Sequence, residues 1–339
     1  MRNTNTVDVT PTGTIKSGMR RKMKARLSWI PVLAALAILI LMLIGGQVHF
    51  GSFVTPGMLS SLLVDNAYLV VLAAGMTFVI LTGGIDLSVG SVMAFTGMLA
   101  AKLLSVGVPV AVVIPLMLVA GALFGTMIGV LVHFFDVQPF IASLAGMFLA
   151  RGLCFVVSLE AIQVKDPFVL GLESARLGSG DWYITPTGII ALIVIAIAAW
   201  VLAYTRFGRT VYAIGGNEQS ARLMGLAVAR SKILVYVVSG VCAGIAGLIF
   251  TSYTAAGYSL NGIGTELDTI AAVVIGGTLL TGGSGYMVGS LIGVFVYGVI
   301  KTAITYLGAD ASWERISIGI LLLAFVVVQR FIVARANRN

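Results

Sequence analysis

The sequence predicts an all-α, polytopic helical bundle embedded in a membrane, and three features predict it. Of the 339 residues, 59% are hydrophobic and only 10% are charged, against roughly 25% charged in an ordinary soluble domain. The mean hydropathy is +1.06, more apolar than a water-soluble core of this size needs. The 41 glycines fit membrane helices, where glycine is commoner than in soluble ones. This composition excludes a soluble enzyme, a nucleic-acid binder and a disordered chain.

The net charge of +8 is gathered into patches rather than spread. Arg2, Lys16, Arg20, Arg21, Lys22, Lys24 and Arg26 precede the first apolar run. Arg206, Arg209, Arg222, Arg230 and Lys232 share one loop, and Arg330, Arg335 and Arg338 close the chain. The positive-inside rule places all three patches in the cytoplasm. The first can also touch anionic lipid.

A helix needs about 20 apolar residues to cross a bilayer, and the elements follow from that length. Residues 1–28 are polar and threonine-rich, the expected flexible cytoplasmic tail. The first span is 29–50. Its basic flank resembles a signal peptide, but the apolar run is too long for one, so the helix is retained. Further spans are 60–82, 86–104, 109–134, 139–158 and 187–204, followed by the basic loop 205–231. The spans 232–254, 266–281, 285–307 and 313–333 complete a single domain over 29–333, and 334–339 form a second cytoplasmic tail. The span 266–281 is short and glycine-rich. About ten spans result, an even number on each side of the basic loop, which keeps both tails and that loop in one compartment as the charges require. The longest loop on the other side, 159–186, carries Glu160, Asp166, Glu173 and Asp181 against Lys165 and Arg176, and is net acidic.

Two weakly similar halves are visible. The stretch Val79–Gly90, VILTGGIDLSVG, has a counterpart in Val274–Gly285, VIGGTLLTGGSG. Gly121, Gly125 and Gly129 likewise match Gly240, Gly244 and Gly247. Glycine-broken helices in corresponding positions of two halves mark transporter folds, with the substrate path near the breaks.

Catalytic chemistry is missing. There is no phosphate-binding loop, zinc motif or nucleophile elbow. His49 and His133 fall at opposite membrane faces, and Cys154 and Cys242 lie in apolar spans as small hydrophobes. No catalytic residue, metal site or bound cofactor is expected, so an ATPase driving transport is another polypeptide. In Thr82-Gly83-Gly84-Ile85-Asp86-Leu87-Ser88 two glycines break one helix and Asp86 with Ser88 opens the next. A carboxylate at membrane depth costs about 2.5–3.5 kcal/mol even on lenient scales. Asp86 therefore caps the next helix through the N–H groups near Ser88 and Val89, or lines the substrate path, and the two roles are compatible. Asn66 lies near the outer end of its span, and Arg151 either pairs with Glu160 or lines a wet cavity. The candidate pathway residues are thus Asn66, Thr82, Gly83, Gly84, Asp86, Ser88 and Arg151. Lys102 and Lys301 snorkel to the interface, and Glu266 and Asp268 sit where the span 266–281 enters.

The basic loop holds Gly215-Gly216-Asn217-Glu218 followed by Ala221-Arg222-Leu223-Met224-Gly225. Asn217 suits an N-cap, Glu218 a first turn and Gly225 the position after a helix end. The helix between them has about two turns, too few to stand alone in water. It lies on the membrane surface as an amphipathic segment, or inserts into a cytoplasmic partner as a coupling helix.

Three runs carry a family resemblance: Ala74–Ser91 (AGMTFVILTGGIDLSVGS), Tyr212–Asn217 (YAIGGN) with Ala221–Gly225, and Glu266–Thr278 (ELDTIAAVVIGGT). In that order they resemble the permeases of bacterial ribose-type sugar ABC importers, over about residues 30–333. Ile141–Phe148 with Arg151-Gly152 look most like a galactofuranose importer permease. The resemblance implies an inner-membrane subunit that binds no cofactor itself. A cytoplasmic ABC ATPase would use ATP and Mg, and a periplasmic sugar-binding protein would deliver substrate. A second permease subunit, identical or paralogous, would complete the path, and Gly215–Gly225 would be the ATPase-docking segment. The N-terminal tail is longer than that family usually carries. The alternatives are an ion-coupled secondary carrier or channel, for which Asp86 and Arg151 alone are thin support, and a membrane scaffold that transports nothing.

Overall fold

The computed structural model describes residues 13–310 and 312–336, with side-chain environments over 29–310 and 312–327. The chain runs α1 (Gly13–Phe50), α2 (Pro56–Val64), α3 (Ala67–Leu81), α4 (Val89–Ser105), α5 (Val110–Phe134) and α6 (Pro139–Val157). A loop region follows with β1 (Ile162–Gln163), α7 (Pro167–Ser174), β2 (Leu177–Ser179) and β3 (Trp182–Ile184). Next come α8 (Pro186–Tyr204), α9 (Arg206–Gly216), α10 (Glu218–Leu223), α11 (Val228–Thr254) and β4 (Ala256–Gly257). The last helices are α12 (Thr265–Ile275), α13 (Met287–Tyr306) and α14 (Ser312–Ala336).

Local chemistry sets the helix starts. Thr55, Asp166 and Thr185 each precede a proline at the first helical position, and their side chains accept from Met58, Phe168 and Val169, and Gly188 N–H respectively. Such caps satisfy backbone donors that have no partner inside the helix, and proline at that position forfeits a bond that would not form anyway.

Every expected span falls on a helix, but not every one of these helices has the length of a crossing. Among the described residues six helices are long and apolar enough to cross a membrane, and α2 with α3, bent by 50°, gives a seventh. The helix α4 has 17 residues and α12 only 11, below the roughly 20 a crossing needs. Among the described residues α12 does not continue to 281, because the chain leaves the helix at Gly276 and takes a positive φ at Gly277. The tail expectation also changes: α1 already begins at Gly13. Residues 1–12 and 337–339 of the expected tails lie outside the described residues.

Helix α3 is the axis of the bundle. From Leu69 to Leu81 its residues are buried on every face, the pattern of a helix with no solvent or lipid side. Its one buried hydroxyl pair, Thr77 Oγ1 with Ser290 Oγ of α13 at 2.7 Å, fixes it to α13. Glycine lets other helices approach closely. A Cβ added at Gly121 of α5 would run into the Gly240 carbonyl of α11, and one at Gly240 into the Gly121 carbonyl. Gly125 abuts the Tyr236 carbonyl, Gly129 abuts Ile233, and Gly244 abuts the Met117 carbonyl. The two glycine stripes, which read as repeats of one another, therefore face each other at Gly121–Gly129 and Gly240–Gly244, while Gly247 packs against α4 at Met93 and Gly97. Small residues that let backbones touch drive association where lipid removes the hydrophobic incentive.

The bundle has two distinguishable ends. Trp29 stacks on Tyr286 with ring centroids 4.4 Å apart, and Tyr212 Oη donates to the Gly285 carbonyl at 2.7 Å. These contacts gather the start of the apolar part of α1, the start of α13 and α9 at the basic-loop end. At the other end Phe53 meets Tyr306 at 5.2 Å, and Ser60 and Ser61 of α2 bond to Asp181 and Tyr183 of the acidic 159–186 segment. Here β1 pairs antiparallel with β4, Ile162 opposite Gly257, and ties that segment to the end of α11.

The Gly121–Gly240 contact leaves no room for a side chain. Gly121→Val should lower the melting temperature of the purified protein by an overpacking cost of about 1–3 kcal/mol or more. Gly152→Ala, with nothing within 4 Å, should melt as the wild type in the same detergent, and equal melting of both variants would deny the tight crossing.

Candidate functional site

The residues singled out in the sequence occupy three places rather than one. The first is the pair of helix ends. Helix α3 finishes with Gly83 N–H on the Ile80 carbonyl at 2.8 Å and Gly84 N–H on the Val79 carbonyl at 3.1 Å, with Gly83 at φ 80°. Helix α12 finishes the same way, with Gly277 N–H on Val274 at 2.9 Å, Thr278 N–H on Val273 at 3.2 Å, and Gly277 at φ 95°. Both are Schellman ends, which need a residue tolerant of positive φ. The two halves thus align with Val79 on Val273, one residue earlier than the sequence pairing.

The segments after these ends cross. Gly283 N–H donates to the Leu81 carbonyl at 2.9 Å. A Cβ at Gly282 would lie 2.7 Å from Gly83 N and 3.1 Å from Gly215 Cα. Gly215 itself presses its Cα face against the Leu81 carbonyl and the Gly283 amide. Three backbones from α3, α9 and the 279–285 segment therefore meet with no side chain between them. In the sequence Gly282 and Gly283 stand out only as part of the second half's glycine-rich stretch, and nothing in a sequence marks two glycine pairs as contacting.

Asp86 lies just beyond this crossing and is buried. Its Oδ1 accepts from Ser88 N–H at 2.9 Å and Ser88 Oγ at 2.6 Å, and its Oδ2 accepts from Ser239 Oγ of α11 at 2.8 Å. The expected bond to Val89 is replaced by the second Ser88 contact, because α4 begins only at Val89 with Ser88, not Asp86, as its N-cap. Ser239 has no distinguishing neighbour in sequence and was missed. Tyr236, one turn from it, brings its hydroxyl to 2.6 Å from where a Gly84 Cβ would sit.

The second place is the α6 contact to the segment before α12. Arg151 does not pair with Glu160. Its Nη1 donates to the Ser259 carbonyl at 2.6 Å and the Asn261 carbonyl at 2.7 Å. The third place is the elbow between α2 and α3, where Asn66 Nδ2 donates to the Leu62 carbonyl at 2.9 Å. Asp65, Asn66 and Lys301 line a cavity of about 330 Å³ there. Thr82, whose Oγ1 donates to the Val79 carbonyl at 2.7 Å, stays at the α3 end.

The loop segment folds as a helical hairpin. Helix α9 was not foreseen, since its buried Val211 and Ile214 alternate with arginines in a polar stretch. Asn217 Oδ1 accepts from Ser220 N–H at 2.7 Å, Glu218 opens α10, and Gly225 follows it at φ 74°. Ala221 is buried with Ile214 and Val228, whereas Arg222, Leu223 and Met224 project outward, Leu223 85% exposed and Met224 67%. Gly216 has nothing within 4 Å and is exposed. Glu218 meets Arg222 at 2.6 Å and Lys232 of α11 at 3.0 Å, anchoring the hairpin. Burial alone would raise the Glu218 pKa, but the hydrogen bonds from Lys232 and Arg222 outweigh it and hold the carboxyl below its usual range.

Comparison with known proteins places this geometry. The chain matches the family described as "Branched-chain amino acid transport system / permease component" over residues 58–326. It is 44% identical to the fructose import permease protein FruG of Bifidobacterium longum, over 90% of this chain and 92% of that one. It is 43% identical to the inner membrane ABC transporter permease protein YjfF of Escherichia coli, over 89% and 92%. It is 38% identical to the ribose import permease protein RbsC of Haemophilus influenzae, over 88% and 92%. No solved structure matches the chain.

Asp86→Leu strands the Ser88 N–H and two hydroxyls, at about 1–3 kcal/mol for each unsatisfied buried group, so it should melt well below Asp86→Asn, which keeps an acceptor. Equal thermal unfolding of the two would remove Asp86 from its clamping role. The Glu218 anchor has its own signature. Its folded pKa lies below the unfolded value of about 4.3, so its stabilisation is complete above that and is lost as pH falls through the folded value. Protease cutting at the hairpin should be constant between about pH 6 and 8 and rise below about pH 4, while Glu218→Gln should show no such acid step.

Proposed function

This chain belongs to the permease family of ribose-type sugar ABC importers, and from that membership we propose that it forms the translocation path for a monosaccharide in the bacterial inner membrane. The reading includes a cytoplasmic ATPase that uses ATP and Mg, a periplasmic sugar-binding protein, a second permease subunit, and about ten membrane segments in two halves, α4 and α12 among them as short ones. Both tails and the basic-loop end face the cytoplasm, as their charge requires. The cargo is a galactofuranose-like sugar or another pentose or hexose, a choice supported by the sugar permeases among the relatives.

The observation that carries the reading is the α9–α10 hairpin. A capped two-turn helix holds itself by Ala221 and Glu218 and offers Leu223 and Met224 to a partner. Two large exposed apolar side chains in a cytoplasmic loop cost nothing in a complex and favour aggregation without one. In the same hairpin Gly215, near the end of α9, touches the backbone of the α3 end at Leu81 and of the 279–285 segment at Gly283. A displacement of α10 by an ATPase therefore moves backbone at the crossing without an intervening flexible side chain. An ion-coupled carrier fits less well, because Asp86 and Arg151 already spend their polar atoms on Ser88, Ser239 and carbonyl groups.

The experiment is co-purification with an ABC ATPase expressed alongside this chain, together with uptake of labelled fructose, ribose and galactofuranoside by cells. Leu223→Ser with Met224→Ser should insert normally, lose the ATPase and lose uptake. Ala221→Glu should do the same by unseating α10. Retention of the ATPase and wild-type uptake in both variants would overturn the docking assignment.

A further inference from the structure

At the acidic-loop end, the elbow of 50° between α2 and α3 turns Asp65 and Asn66 toward α13 and Tyr253 of α11, enclosing the cavity of about 330 Å³. That volume is at the lower end of the roughly 300–1,000 Å³ typical of small-molecule sites. The wall opposite the elbow is the last two turns of α13, with Gly298, Lys301 and Tyr306. Gly298 keeps the space open, since a Cβ there would sit 2.7 Å from Asn66 Nδ2.

The cavity's threonine hydroxyls and Ser61 are bonded internally, but three of its polar side chains keep free hydrogen-bonding capacity. Among the described residues the Asp65 carboxylate and the Lys301 ammonium make no hydrogen bond or ion pair, with each other or with anything else. Asn66 uses its Nδ2, but its buried Oδ1 has no partner. Buried polar atoms left without partners are rare in folded proteins and call for a ligand or water. Thr55, Ser61, Thr302 and Thr305 supply half of the remaining wall, and among the described residues Met58 is its one aliphatic side chain.

We propose that this cavity is a receiving site for a neutral, polyhydroxylated ring, a monosaccharide entering from the acidic-loop side; this rests on the sugar-importer reading above. One acid and one base cancel, so the site has no preference for an ion. A carboxylate accepts from two adjacent hydroxyls, an ammonium donates to ring or hydroxyl oxygens, and the free amide oxygen accepts a third hydroxyl. The rings of Tyr253 and Tyr306 offer apolar surface to the C–H face of a sugar. An amino-acid zwitterion could satisfy the same two charges, but a branched aliphatic side chain would find only Met58 to lie against.

The test is saturation-transfer NMR on the permease with its ATPase in lipid nanodiscs, probed with D-ribose, D-fructose, methyl β-D-galactofuranoside and L-leucine. The wild type should saturate at least one of the sugars and not leucine. Lys301→Met and Asp65→Asn remove no internal bond, so they should keep the wild-type melting temperature and bind that sugar about tenfold more weakly, the loss of one charge-assisted hydrogen bond. Asn66→Ser should also bind that sugar more weakly, and, because it deletes the bond to the Leu62 carbonyl, it should melt lower as well. Ala221→Glu should bind sugar as the wild type does, which separates this site from the coupling hairpin. Undiminished binding in the three cavity variants overturns the site while leaving the importer reading intact if cells still take up sugar. Absence of saturation by every sugar also overturns it, and saturation by leucine instead of sugar overturns both readings.

Discussion

Backbone that leaves a helix inside a membrane must find its hydrogen bonds in protein, because lipid offers none and each unsatisfied group costs several kcal/mol. That constraint organises this molecule. The chain leaves helical geometry after α3 and again after α12, and at both points a Schellman turn satisfies the last carbonyls locally. The remaining groups are satisfied by bringing the two segments together, with the Gly283 amide on the Leu81 carbonyl. Only glycine permits backbones to come so close, which is why Gly83, Gly215, Gly282 and Gly283 converge there.

The same constraint explains Asp86. The turn that leads into α4 has donors of its own, and a side-chain carboxylate is the acceptor with enough lone pairs to take Ser88 N–H, Ser88 Oγ and Ser239 Oγ together. The charge-assisted bonds compensate its burial, and one of them ties the turn to α11. The crossing, the carboxylate and the hairpin are thereby a single contiguous piece of structure, in which the groups that satisfy the backbone are also the groups that link the loop to the bundle.

Much of the fold was legible because apolar length is a direct physical signal. The boundaries of α5, α6 and α8 fall within a residue or two of those expected. The elbow at Asp65–Asn66 was not, since hydropathy there barely dips between two apolar helices. Nor was α9, whose apolar face is interleaved with arginines. The caps of α10 could be read because Asn217 and Gly225 act on residues two or three away. Arg151 could not, since its partners are carbonyls 108 and 110 residues distant and every residue type has one. The glycine stripes showed their spacing but not that they face each other, because a repeat and a contact leave the same mark in a sequence.

Helix α11 has 27 residues, a rod of roughly 40 Å at 1.5 Å per residue. Its first turn holds Lys232 against Glu218 of the hairpin, its middle holds Ser239 against Asp86, and its far end runs into the β1–β4 ladder with Ala255 accepting from Val164 N–H at 2.9 Å. Between Ile233 and Gly244 it packs on the glycines of α5, Gly121 against Gly240, Gly125 against Tyr236 and Gly129 against Ile233. A helix is stiff along its axis, so a small axial shift at one end arrives undiminished at the other. The acidic-loop segment and the α9–α10 hairpin are therefore the two ends of one strut, whose middle carries Ser239 at Asp86 and whose last turn carries Tyr253 at the cavity.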